Sequence, residues 1–132
     1  MRAGIEIRDA HYPGRAPIDA YGNGGFRFAD MSHRGSVIVL PSGIHGWDVA
    51  RFEDIDEASL APVFDQSGGI ELLLVGCGED LRVLPRPLRE ALNGHGVAVE
   101  SMATGAAVRT FNVLLAEDRQ VAAALIAVED AR

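Results

Sequence analysis

A short polar segment inside an apolar stretch is the most promising place for chemistry in this chain. Arg109, Thr110 and Asn112 follow the small residues of segment 103–107 and are flanked by valine, phenylalanine and leucine. A guanidinium beside a hydroxyl and an amide can bind a carboxylate or a phosphate, or can bond backbone carbonyls of its own chain. The sequence therefore leaves two roles for Arg109, a structural one and the binding of an anionic ligand or a partner's carboxylate.

A glycine turn is the second candidate. Gly76, Cys77 and Gly78 directly follow an apolar run. The turn does not match a phosphate-binding loop, because Leu81 stands where a dinucleotide fingerprint has its third glycine and no Gly-Lys-Ser/Thr follows. Since no nearby residue in the sequence would lower the pKa of Cys77, we expect a buried structural thiol rather than a nucleophile.

Ser42 and Trp47 follow another apolar run. Ser42 lies in Pro-Ser-Gly, which differs from the Gly-x-Ser-x-Gly of a nucleophile elbow. Trp47 belongs to the segment His-Gly-Trp-Asp at 45–48. It either covers the end of the core with its indole N–H bonded, or lies at a binding crevice.

Metal ligands are not grouped in this sequence. The four histidines are His11, His33, His45 and His95. They lack ligand spacing, and neither His-Glu-x-x-His nor paired cysteines occur. We therefore predict no metal, no cofactor and no catalytic residue set.

Composition narrows the class of protein. The 132 residues carry a net charge of −7, one cysteine, and hydrophobic and charged fractions of 48% and 23%. These values predict one globular domain over 1–132, without an internal disulfide. They argue against nucleic acid and anionic membranes as partners. Neither a signal peptide nor a run of about 20 apolar residues is visible. We expect a cytoplasmic monomer or weak dimer without membrane insertion.

Apolar runs and turn signals predict alternating strands and helices. Predicted strands lie at 5–7, 18–21, 26–28, 36–40, 71–75, 97–100 and 121–128, and an Asn23-Gly24 tight turn precedes the third. Predicted helices are a short irregular one after Asp56, one from Pro85 to Asn93 and one from Thr104 to Glu117. This order predicts an α/β domain with a central, mostly parallel sheet and helices on both faces.

In parallel sheets, ligands bind at the carboxyl ends of the strands. We expect the turns 41–43, 76–78 and 102–104 to meet at one edge, where the last helix would point free N–H groups toward an anion. The candidate crevice residues are Ser42, Trp47, Gly76, Cys77, Gly78, Thr104, Arg109, Thr110 and Asn112.

The order and spacing of several segments resemble a known family across 18–127. The matching pieces are 21–28 (Tyr-Gly-Asn-Gly-Gly-Phe-Arg-Phe), 35–43 with Trp47, 73–78, 85–92 with Gly96, 100–104, 109–115, and Arg119 with 121–126. The chain is similar in these pieces to the family of mitochondrial complex I assembly factor three and the adipogenesis-associated domain protein.

The resemblance implies a three-layer α/β fold with a mixed sheet. It also implies work through protein partners, without an established catalytic activity, and bacterial genes near those of protein translocation. Many bacterial relatives carry threonine at the position of Cys77 and cysteine at that of Val108, so a thiol-based mechanism is not implied here.

Two functions remain at this point. The favoured one is a non-enzymatic domain that binds a protein partner, in assembly or translocation of a membrane complex. The alternative is a small-molecule site, or an enzyme, that holds an anionic ligand with Arg109 and the helix N-terminus.

Overall fold

The computed structural model describes residues 12–131, so the strand predicted at 5–7 and the histidine at position 11 lie outside the described residues. The strands are β1 (Tyr12–Pro13), β2 (Ala20–Gly22), β3 (Gly25–Phe28), β4 (Met31–Arg34), β5 (Ser36–Leu40), β6 (Gly43–Trp47), β7 (Leu72–Gly76), β8 (Ala98–Met102) and β9 (Val121–Leu125). The helices are α1 (Ala61–Asp65), α2 (Arg86–Gly94) and α3 (Thr104–Ala116). Short 3-10 turns occur at Phe52–Asp54 and Ser67–Gly69.

The main sheet has six strands in the order β1-β6-β5-β9-β7-β8. It is a mixed sheet flanked by helices, which confirms the predicted α/β class. Its parallel part is β9-β7-β8, whereas β5 runs antiparallel to both β6 and β9. The sheet is therefore not mostly parallel. One of its antiparallel pairs is made at Pro41 and Ser42, which turn the chain directly back so that Leu40 faces Gly43.

The central strands β5, β7 and β9 are buried on both faces of the main sheet, as their continuous apolar runs predict. In β7, Leu73 and Val75 pack with Val63 of α1 and Leu92 of α2. On the other face, Leu74 packs with Phe111 of α3. The helices therefore form the outer layers.

A second, three-stranded sheet in the order β2-β3-β4 shares the face of α3. Asn23 (φ 52°) and Gly24 (φ 77°) form its first two-residue turn, where sequence analysis placed a tight turn. The amides of Asn23 and Gly24 donate to the carbonyls of Glu129 and Val128, at 2.7 and 2.9 Å. The C-terminal segment is thereby attached to this small sheet.

The helices lie close to their predicted positions. α3 ends at Ala116, one residue before its predicted end, and α2 begins just after Pro85. α1 is short and has Pro62 in its first turn, which agrees with the predicted short, irregular helix. None of the helices between residues 12 and 131 combines the length and apolarity required to span a membrane.

Candidate functional site

The side chain of Thr104 joins the start of α3 to two strand ends. It is completely buried. Its hydroxyl donates to the carbonyl of Ile126 at 2.7 Å and accepts from the amide of Gly78 at 3.0 Å. The backbone amide of Thr104 also donates to the carbonyl of Gly78, at 2.9 Å. Thr104 is the first residue of the helix, after the N-cap residue Ala103, and its polar groups are used internally.

Gly76 is needed for this close approach, and Gly78 is needed for the turn that follows it. A Cβ atom on Gly76 would lie 3.0 Å from the Thr104 hydroxyl oxygen and 3.0 Å from Cδ2 of Leu125. Gly78 has φ of +104°, a conformation that residues with side chains rarely adopt. The two glycines therefore serve the packing of α3 on the sheet.

Cys77 is buried between them. Its thiol donates to the carbonyl of Arg82 at 3.2 Å, and burial raises the pKa of the thiol above its ordinary value. The raised pKa disfavours the thiolate, and the buried position of Cys77 agrees with the expected structural thiol.

A cavity of about 200 Å³ lies where β7 ends and α3 begins. It is lined by Tyr21, Gly78, Glu79, Ala103, Gly105, Ala106, Arg109, Val128 and Asp130. Arg109 is exposed rather than close to the packed body. Arg109 lies on the side of α3 opposite the buried Phe111, so the core does not enclose its side chain.

The charges around this cavity do not favour an anion. Two carboxylate residues, Glu79 and Asp130, line it beside the single guanidinium of Arg109. Two carboxylates against one guanidinium give the lining a net negative charge, which repels an anionic ligand.

Asn112 and Thr110 do not form a buried polar group with Arg109. The Asn112 amide makes two hydrogen bonds with the backbone of Ile18, one from the Ile18 amide to Oδ1 and one from Nδ2 to the Ile18 carbonyl, both 2.9 Å. Thr110 is half-buried on the same helix. Asn112 thus fixes the segment before β2 against α3.

Ser42 does not lie at the crevice, and its placement there is wrong. Because β5 runs antiparallel to β9, the turn after β5 lies at the edge of the sheet opposite Gly76. Trp47 faces Ser36 at the other end of β5, but its side chain packs on the face of α1 and α2. Its indole N–H donates to the carbonyl of Ser59 at 2.9 Å, as the core-covering alternative required.

Ser42 belongs to a polar group that sequence analysis missed. Its hydroxyl accepts from Nε2 of Gln66 at 2.9 Å and lies 3.0 Å from Nε2 of His45. The amide of Ser42 donates to Oε1 of Gln66 at 3.0 Å, so it is not available to stabilise an oxyanion. Gln66 is distant in sequence, and the only sequence signal was the three-residue spacing of Ser42 and His45.

This polar group lies at one end of a cavity of about 440 Å³, on the edge formed by β6 and α1. Apolar atoms of Ile38, Leu40 and Trp47 contribute to its lining. Within residues 12–131, histidine, cysteine and acidic side chains form no group that could hold a metal ion.

The outward face of α3 is unusual for an exposed helix. Its outward positions carry Ala106, Arg109, Val113 and Ala116, and Val113 is 57% exposed. Exposed helix faces are normally polar, and a helix that is apolar outside as well as inside is usually covered. Arg109 is the single charged side chain among these four positions.

The chain is similar to a protein family and to known bacterial and animal proteins. The model of a family described as "Protein of unknown function (DUF498/DUF598)" matches residues 18–126. An uncharacterised protein of Rhodobacter capsulatus is 40% identical over 119 residues, which is 90% of each chain. The NADH dehydrogenase [ubiquinone] 1 alpha subcomplex assembly factor 3 of Mus musculus is 32% identical over 126 residues, covering 96% of this chain and 68% of that protein.

Solved structures agree with the observed fold. A crystal structure described as an outer membrane protein from Bartonella henselae has a TM-score of 0.87 and 59% sequence identity. The similarity covers 90% of this chain and 100% of that one.

Proposed function

The chain belongs to the family described as protein of unknown function (DUF498/DUF598), and we propose on that basis that it is a non-enzymatic assembly factor that binds a protein partner. The observation that carries the proposal is its 32% identity, over 96% of its length, to assembly factor 3 of the NADH dehydrogenase alpha subcomplex. By this proposal the partner is a subunit of a respiratory membrane complex on its way to assembly.

The site chemistry supports a binding role over catalysis. Three of the candidate crevice residues use their side chains in hydrogen bonds within the protein. Thr104 bonds to Ile126, Asn112 to Ile18, and the Cys77 thiol to the carbonyl of Arg82. Side chains used in this way stabilise the fold and hold α3 rigidly. A rigid helix is a suitable platform for a partner, because it loses little conformational entropy on binding.

The proposed contact surface is the outward face of α3, defined by Ala106, Arg109, Val113 and Ala116. The four positions carry one arginine and neither lysine nor an acidic residue, and the centres of protein interfaces are likewise enriched in arginine and depleted of lysine and acidic residues. A partner that covers the exposed side chain of Val113 removes apolar surface from water, which makes binding more favourable.

The alternative of an anionic small molecule has less support. Glu79 and Asp130 would repel the anion at the small cavity beside Arg109. Ser42, one of the candidate crevice residues, lies at the opposite edge of the sheet.

The experiment is a gene deletion in the source organism. Assembled respiratory complex I is quantified on native gels and by NADH:quinone oxidoreductase activity, and the deletion strain is complemented with variants. Val113→Asp places a charge on the contact surface. Val83→Asp is the matched control, because Val83 is the same residue type and is 65% exposed in a loop away from α3.

We expect the deletion to reduce assembled complex, wild type and Val83→Asp to restore it, and Val113→Asp to fail while melting like wild type. Normal complex levels in the deletion strain would refute the assembly role. Restoration by Val113→Asp would retain the role but move the contact away from α3.

A further inference from the structure

The outer face of the three-stranded sheet carries two arginines side by side. In the register of β3 and β4, Arg27 faces Ser32 and Arg34 faces Gly25. Because side chains alternate along a strand, Arg27 and Arg34 share one face, while Phe26 and Phe28 are buried on the other. Both arginines are exposed.

Four arginines of the described part of the chain have acidic partners that these two guanidiniums lack there. Arg51, Arg82, Arg86 and Arg119 each lie within 4.0 Å of a glutamate or aspartate oxygen. Between residues 12 and 131, no such ion pair includes Arg27 or Arg34. Arg15 and Arg89 form no such ion pair either, but they donate to the carbonyls of Gly69 and Leu84.

Diagonal neighbours across an antiparallel pair have Cα atoms about 7–8 Å apart. This relationship applies to Arg27 and Arg34, which are offset by two residues across the pair. This spacing suits two carboxylates at positions i and i+2 of an extended peptide, because such residues lie on the same side and about 6.6 Å apart.

A shallow cleft of about 400 Å³ lies on this face. It is lined by Gly22, Asn23, Gly25, Phe26, Arg27, Ser32, His33 and Arg34. The glycines and the serine of this lining have no side chain or a short one, so a peptide backbone can approach the sheet between the arginines. β4 is also at the edge of its sheet, with β3 as its strand neighbour among the described residues. Exposed strand edges accept an added strand through backbone hydrogen bonds.

We propose that this Arg27/Arg34 face docks an extended acidic segment of a protein partner. Carboxylates two residues apart on the segment pair with the two guanidiniums, whose planar geometry favours bidentate contacts with carboxylates. Nucleic acid and anionic membranes fit less well, because two arginines neutralise few phosphates. The face is separate from the outward face of α3, so this inference goes beyond the proposed function and survives its failure.

The test measures the binding of fluorescein-labelled hexaglutamate by fluorescence anisotropy at low ionic strength, with hexaglutamine as the uncharged comparison. The variant is Arg27→Gln/Arg34→Gln. The matched control is Arg51→Gln/Arg86→Gln, which removes the same charge from exposed side chains elsewhere. Circular dichroism checks that both variants are folded. Amide chemical shifts of the wild-type protein map the binding site without any substitution.

We expect the face variant to bind hexaglutamate about tenfold more weakly, and the control within about twofold of wild type. Hexaglutamine should not bind, and shifts should move at Ser32 and Gly25. Equal weakening in both variants would show diffuse electrostatics and overturn the proposal. So would an absence of binding, competition by inorganic phosphate as strong as that by the peptide, or shifts confined to another surface. Self-association that Arg27→Gln/Arg34→Gln abolishes would identify a second copy as the occupant and also overturn it.

Discussion

The Thr104 hydroxyl donates a 2.7 Å hydrogen bond to the carbonyl of Ile126, and so joins the start of α3 to the end of β9. The same oxygen accepts from the amide of Gly78, at the end of β7. One buried hydroxyl therefore holds together the three segments that form the crevice.

Thr104→Val should lower stability strongly. Valine keeps the shape but leaves the Ile126 carbonyl and the Gly78 amide without this partner, and each such buried group costs about 1–3 kcal/mol. We expect a loss of about 2–4 kcal/mol in the free energy of unfolding, measured in urea. Thr110→Val is the control, because Thr110 is half-buried on the same helix. Equal losses for the two variants would contradict the role of Thr104.

Asn112→Ala should detach the segment before β2 from α3. The change removes two hydrogen bonds of 2.9 Å to the backbone of Ile18. At about 1 kcal/mol each, a loss of about 1–3 kcal/mol is expected in chemical denaturation. Asn93→Ala, at an exposed position of α2, should change stability little. Unchanged exchange of the Ile18 amide in the Asn112 variant would refute this assignment.

The sequence predicted the helices well because their signals are local. Pro85 and Gly94 bracket α2, and the small-to-apolar pattern after Ala103 marks α3. Strand direction has no such local signal, because an apolar run such as 36–40 is buried in the same way in a parallel or an antiparallel sheet. The antiparallel pairing of β5 with β6 depends on the two-residue turn at Pro41 and Ser42. The antiparallel pairing of β5 with β9 joins segments more than 80 residues apart, and no local signal marks it.

Strand direction also decides which of the candidate site residues lie together. Gly76, Gly78 and Thr104 were grouped correctly, because they end or follow strands of the parallel part of the sheet. Ser42 was placed with them on the assumption that all strands point one way. Its partner Gln66 is 24 residues away along the chain, and only the folded sheet brings them together.

Arg109→Ala should leave stability nearly unchanged. Arg109 is exposed on α3, and the electrostatic contacts of exposed side chains contribute about 0–1 kcal/mol. If the outward face of α3 is the contact surface, the variant should melt like wild type and fail to restore assembled complex. Thermal melts and complementation of the deletion strain measure the two effects. A loss of about 3 kcal/mol or more would instead assign Arg109 a structural role.

The thiol of Cys77 should react slowly in the folded protein. Burial raises the pKa of this thiol above its ordinary value of 9.0, so at neutral pH the folded protein holds even less thiolate than the unfolded chain. Ellman's reagent at pH 8 should label the native protein far more slowly than the protein in urea. Rapid native labelling would place the thiol at the surface.

The same shift predicts how stability depends on pH. Since the folded pKa of Cys77 is the higher one, the unfolded chain releases the proton first as pH rises. The unfolded state then binds fewer protons than the native state, so the free energy of unfolding falls once the pH exceeds about 9. Cys77→Ala removes this contribution, and its stability should decline less steeply between pH 8 and pH 10 than that of wild type. Parallel pH profiles of the two proteins in urea denaturation would show that another group controls the alkaline loss.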